Sequence, residues 1–186
     1  MKYYKLTDQD KKTHGDTEWG EHVTHKATGK GKELCTEDVI HVYDHPLKAA
    51  MFNPIHAYIS NPKLWECRVR RVVANDKLKV GVKICTTIKE ISLPEITTNQ
   101  RVRFAILCAL KAYPEPSFVE WANNWLSGKD RSQAAEAAAW AAEAAAWAAA
   151  GAAEAAAWAA WAAETAAWVA DIDFVALIKQ SIQEEK

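Results

Sequence analysis

An alanine tract constrains this chain more than any other feature of its sequence. Residues 134–170 contain 25 alanines, five tryptophans and four glutamates. Alanine has the highest intrinsic helix propensity but buries little apolar area, so the tract favours a helix and adds little to a hydrophobic core. The core must come from the rest of the chain. We therefore expect an α+β head domain in residues 1–128, helical from about residue 98. A repeat helix with an amphipathic C-terminal segment should follow in residues 129–186.

Tryptophan and glutamate recur in the tract at spacings that follow the helical repeat. At about 100° per residue the five tryptophans fall within roughly 80° of arc, and four of them follow a glutamate by one turn. Helical side chains lean toward the N-terminus, so each of these indoles can donate its N–H to that glutamate. The predicted oligomerisation or recognition stripe consists of Glu136, Trp140, Glu143, Trp147, Glu154, Trp158, Trp161, Glu164 and Trp168.

The remaining surface of this predicted helix is nearly bare alanine, which lets another helix approach closely. A single helix cannot cover that surface itself, so we expect a homo-oligomeric helical bundle formed through residues 130–183. The alternatives are an intrachain hairpin at Gly151 and a single solvated helix. The stripe suits either a packed seam or an outward recognition surface.

The head domain contains one strong hairpin pattern. Residues 64–73 and 77–84 read as strands, and the intervening Ala74, Asn75 and Asp76 supply turn chemistry. In the second strand, aliphatic residues at alternate positions are expected to face the core. With further strand candidates at 2–6, 39–43 and 87–93, the pattern predicts a small, mostly antiparallel sheet.

Short helices complete the expected head. Pro46 suits the first position of a helix, which we expect to end near Asn53 because Pro54 follows. Thr98 is the expected N-cap of a helix over residues 99–113. The predicted fold class is therefore α+β: an antiparallel sheet domain with short helices, followed by a long alanine-rich helix that forms an oligomeric bundle.

Basic side chains alternate with the core-facing positions of the hairpin and predict a positively charged outer face. Such a face can receive an anionic, nucleotide-like ligand or an acidic surface of a partner. The alternatives are a solvated sheet face and a docking face for the glutamate-bearing helix. The candidate anion-binding residues are Arg68, Arg70, Lys77, Lys79 and Lys83.

Composition and motif searches exclude several classes of function. Residues 1–133 carry a net charge of only +5, so a nucleic-acid partner is not expected. The glutamates of the tract argue against a membrane span, and four cysteines without a CxxC motif fit a reducing cytoplasm. The histidines lack the spacing of a metal site, and no nucleophile, phosphate-loop or dinucleotide motif occurs. We expect no metal, no cofactor and no catalytic residue.

Three segments carry a resemblance to a known group of proteins. The opening Lys2-Tyr3-Tyr4-Lys5, the Cys35 to Leu47 segment with its Asp44-His45-Pro46, and the Trp-Ala-Asn-Asn-Trp-Leu-Ser-Gly lead-in to the tract resemble a family of small, uncharacterised tailed-phage accessory proteins. These proteins combine a compact N-terminal domain with alanine-rich repeats. The resemblance implies a role in the host cytoplasm, often against host defence.

The head is also similar to the cores of some ADP-ribosyltransferase-like domains, through its early strand and its His-x-Tyr…Pro-Leu segment. The late catalytic glutamate of those enzymes has no counterpart, because Glu90 and Glu95 lack its context. We therefore expect a non-enzymatic phage-type protein that binds a host protein or sequesters a small anionic signal, multimerised by its alanine-rich helix. The alternatives are a nucleotide-modifying enzyme and a purely structural oligomer.

Overall fold

The computed structural model describes residues 2–57, 59–112, 115–130 and 172–183. They divide into two compact units, Met1–Glu95 and Ile96–Lys186. All the described strands lie in the first, the sheet unit, and three of the four described α-helices lie in the second, the helical unit. None of the described helices is long and apolar enough to cross a lipid bilayer.

The sheet unit is built from antiparallel pairs of strands. The two shortest strands, β2 and β3, pair only with each other, and the other five share one sheet. The strands are β1 Tyr3–Thr7, β2 Lys12–Thr13, β3 Thr17–Glu18, β4 Thr24–Lys26, β5 Ile40–Val42, β6 Lys63–Asn75 and β7 Val80–Ile91.

Four of these strands form a closed circuit. β1 pairs with β6, β6 with β7, and β7 with β5. The chain then returns to β1, because Tyr4 and Tyr43 exchange two backbone hydrogen bonds of 2.8 Å. The main core cluster consists of Trp19, Val42, Trp65, Cys67, Val80, Val82 and Cys85.

The predicted hairpin is confirmed, and its second strand is longer than expected. β7 joins the predicted strands at 77–84 and 87–93 into one strand that pairs with β6 over nearly its whole length. The turn has the predicted chemistry. Asn75 Oδ1 accepts the Lys77 N–H at 2.8 Å, and Asp76 Oδ1 accepts the Lys79 N–H at 2.7 Å.

Helix α1 spans Pro46–His56, so its predicted start is confirmed and its predicted end is wrong. Pro54 lies inside the helix, where it removes one backbone donor without ending the helix. The next turn is retained because the Ala57 N–H donates to the Asn53 carbonyl at 3.0 Å. The Asn53 side chain also bonds the Ile59 backbone in both directions, at 2.9 and 3.2 Å.

The described helices of the helical unit are α2 Thr98–Ala112, α3 Pro116–Leu126 and α4 Phe174–Gln183. The cap of α2 is Thr97, one residue before the predicted Thr98. The Thr97 hydroxyl accepts the Gln100 N–H at 3.1 Å, while the Gln100 side chain accepts the Thr97 N–H at 2.9 Å. Apolar residues of α2 and α3 pack together in a cluster of Val102, Ile106, Ala122 and Trp125.

The predicted fold class is wrong in its helical part. The longest described helix has 15 residues, and no long alanine-rich helix occurs among the four that are described. The prediction relied on alanine propensity, whereas helices in proteins depend mainly on packing of an apolar face. The described helices instead carry mixed sequences with apolar faces. The predicted stripe, from Glu136 to Trp168, lies outside the described residues.

Candidate anion-binding groove

A groove of about 290 Å³ crosses the outer face of the sheet unit. Three neighbouring strands line it: β6 and β4 form the sides, and β7 forms the floor between them. Its volume is near the lower end of the range for small-molecule sites. The lining residues are Thr24, Lys26, Arg68, Arg70, Ile84 and Thr86.

Strand register arranges the lining side chains as two rows that cross the sheet. Ile84 is the register partner of both Lys26 and Arg70, so these three form one row. Thr86 is the register partner of both Thr24 and Arg68, which form the second row. Directly opposed residues project from the same face of a sheet. Each row therefore places its three side chains side by side over the groove.

The two rows differ in chemistry. The first has a cation at each end and the aliphatic Ile84 in the middle. The second has the Arg68 cation at one end and two hydroxyls, and the Thr24 and Thr86 oxygens lie 2.8 Å apart in a hydrogen bond. The groove thus offers three cationic groups, two hydroxyls and one apolar contact.

The cations of the groove carry no counter-charge from the described residues. No side-chain hydrogen bond or ion pair joins Lys26, Arg68 or Arg70 to another residue of the described part of the chain. The acidic neighbour of Arg68 along β6 is Glu66, and its carboxylate already pairs with Lys2 at 3.2 Å. Among the described residues, no carboxylate therefore neutralises the positive charge of the groove.

Lys83, a predicted anion-binding residue, has a structural role instead. Its ammonium donates to the carbonyls of Gly29, Gly31 and Asp38 at 3.2, 2.6 and 2.5 Å. An ammonium has three N–H donors, so all of them are used. Lys83 thereby ties the loop between β4 and β5 to β7, and it does not line the groove.

Lys77 and Lys79 also lie outside the groove. Lys77 lies in the turn with φ of 69°, and its carbonyl accepts the Lys48 ammonium at 2.6 Å. Lys79 is only 5% exposed, and its ammonium donates to the Cys35 thiol at 2.9 Å. Of the five predicted anion-binding residues, only Arg68 and Arg70 line the groove. Lys77 lies in the turn and Lys79 is buried.

A further cation, Lys5, faces the core cluster. Its ammonium donates to the His41 carbonyl at 3.1 Å and lies 5.3 Å from the centroid of the Trp19 ring. Burial lowers the pKa of Lys5, an effect that the nearby thiols of Cys85 and Cys67 oppose. This lysine bonds within the core and contributes nothing to the groove.

Sequence reasoning missed Thr24, Lys26 and Thr86, and its expectation that Ile84 faces the core is wrong, because Ile84 lines the groove. Thr24 and Lys26 belong to a three-residue strand within a polar segment that reads as loop. Thr86 lies between two predicted strands that are in fact one. The one available signal was the alternation of Thr24 and Lys26 around His25, which is too short to predict a strand.

Comparison of the chain with family models, with curated proteins and with solved structures gives no match. Within the described residues, no group of three or more His, Cys, Asp or Glu side chains is placed to hold a metal ion. With no matching relative, the groove is the structural feature from which a function can be inferred.

Proposed function

We propose that the sheet unit binds a small anionic, nucleotide-like ligand in the groove, without transforming it. The observation that carries this proposal is the set of three cations, Lys26, Arg68 and Arg70, without counter-charge from the described residues around a concave surface. Guanidinium groups bind phosphate oxygens in a bidentate manner, which gives affinity and orientation together. Threonine hydroxyls beside them can bond further oxygens of the ligand.

A small ligand suits the surface better than a host protein does. A stable protein interface buries about 800 Å² on each partner and has an apolar centre. In the described part of the chain, Val72 is the only large hydrophobic residue that is strongly exposed, at 48%. By the resemblance to tailed-phage accessory proteins, binding would act by sequestering a signal in the host cytoplasm, as part of counter-defence.

Calorimetric titration of the full chain with AMP, ADP and ATP at low salt tests the proposal. We expect binding that strengthens with the number of phosphates and weakens tenfold or more in Arg68→Met and Arg70→Met. Lys111→Met is the matched control, because it removes one exposed cation from α2 and leaves the groove intact. Equal weakening in all three variants, or no binding by the wild type, would contradict the proposal.

Analysis of the titrated nucleotides by mass spectrometry separates binding from catalysis. Unchanged ligand masses after prolonged incubation are expected for sequestration. Loss of a phosphate, or transfer of a nucleotide group to the protein, would instead support the enzymatic alternative.

A further inference from the structure

The row of Lys26, Ile84 and Arg70 places two cations on opposite sides of the groove with an apolar residue between them. Lys26 is on β4 and Arg70 is on β6, so the whole of β7 separates them. Neighbouring strands lie about 4.8 Å apart, which puts the backbones of the two residues about 10 Å apart. A ligand with a single phosphate could pair with Lys26 or with Arg70, but not with both.

The β6 and β4 sides of the groove differ in the number and type of their cations. On the β6 side, Arg68 and Arg70 are two residues apart on one face of the strand, so their Cα atoms lie about 7 Å apart. Their long side chains can therefore converge on one phosphate. On the β4 side the single cation is Lys26, whose ammonium acts as a compact point charge. The arginine side is therefore the stronger subsite, and the lysine side is the weaker one.

We infer that the preferred ligand is an organic bisphosphate whose two phosphates are held apart by a body with an apolar surface. The inference rests on the proposed function and specifies its ligand class. The first phosphate binds between Arg68 and Arg70, the second pairs with Lys26, and the body of the ligand lies across Ile84. Hydroxyl or ring oxygens of the body face Thr24 and Thr86.

Pentane-1,5-diyl bisphosphate and pentyl phosphate make a matched pair of probes, because they share the apolar body and differ by one phosphate. In titrations of the full chain at low salt, the bisphosphate should bind at least tenfold more tightly than the monophosphate. Lys26→Met should remove that advantage and leave the monophosphate affinity within twofold of the wild type. Arg70→Met should weaken both probes at least tenfold.

The outcomes distinguish this inference from the proposed function. If both probes bind with the same affinity, or if Lys26→Met weakens both to the same degree, the two-subsite inference is wrong while anion binding stands. If neither probe nor any adenine nucleotide binds, the proposed function fails and the inference fails with it. Hydrogen exchange of β6 and β7 in each variant verifies that the sheet unit is folded.

Discussion

Lys83→Met should destabilise the sheet unit, because the lysine ammonium holds three carbonyl groups of one loop. The carbonyls belong to Gly29, Gly31 and Asp38, and the bonds measure 3.2, 2.6 and 2.5 Å. Methionine keeps most of the apolar stem and removes only the donors. A second bond within the loop, from the Gly31 N–H to the Asp38 carboxylate at 2.7 Å, does not involve Lys83. The variant should therefore lose only part of the order of the loop.

The expected cost follows from the surroundings of the three bonds. A hydrogen bond to a charged group contributes about 1.5–3 kcal/mol when it is shielded from water. The bond to Gly31 is exposed, and water can replace the ammonium there, whereas the bonds to Gly29 and Asp38 are partly buried. Two partly shielded bonds, discounted for rehydration of the freed carbonyls, give a loss of about 2–3 kcal/mol.

Native-state hydrogen exchange read by mass spectrometry measures this loss, because peptides from β6 and β7 report the opening free energy of the sheet unit alone. Lys26→Met is the control, since it removes an exposed ammonium that bonds no other described residue, and it should change the free energy by less than about 0.5 kcal/mol. If Lys83→Met also stays within that margin, the three carbonyls do not depend on the ammonium and the reasoning is refuted.

Two further tests address a half-buried thiol and a buried hydroxyl. Burial raises the pKa of Cys108 to about 12 from its ordinary value of 9.0, so the folded chain keeps a proton that the unfolded chain loses above pH 9. Between pH 9 and pH 10, the free energy of unfolding should therefore fall by about 1 kcal/mol more in the wild type than in Cys108→Ala. Urea titrations at the two pH values measure this difference. An equal fall in both proteins would contradict the expectation. Thr7→Val should cost about 1–3 kcal/mol, because the buried Trp65 indole loses its acceptor at 3.1 Å. Thr13→Val, which removes the partly exposed acceptor of the Trp19 indole, should cost less, and equal losses in thermal unfolding would refute the role of burial.

The sequence predicted those parts of the fold that local chemistry determines. Asn75 and Asp76 specify the turn between β6 and β7 through their own side-chain oxygens, so the hairpin was visible without tertiary information. Pro54 shows the opposite case. Proline disfavours a helix locally, but the helix continues because the Asn53 side chain and the last helical turn hold the backbone on both sides.

The candidate site was only partly predictable, for a similar reason. Period-two alternation placed Arg68 and Arg70 correctly on the outer face of β6. The same rule failed for Lys79 and Lys83, because burial of one ammonium and capture of the other by loop carbonyls depend on how the chain folds back on β7. Lys26 joined the site through a strand of three residues, which no local pattern specifies.

The closed circuit of strands has a consequence for synthesis on the ribosome. β1 is made first, yet its sheet partner is β6, where Tyr3 pairs with Cys67, and its other contact is Tyr43. At a translation rate of about 5–20 residues per second, roughly 4–14 s pass between the synthesis of β1 and the completion of β6. Tyr43 is made earlier than β6, but until β6 is complete the edge of β1 that pairs with it lacks its partner, and an unpaired strand edge is open to wrong pairing. The five residues of β1 are thus the first strand to be synthesised, and their pairing in the sheet is completed only after β6 has been made.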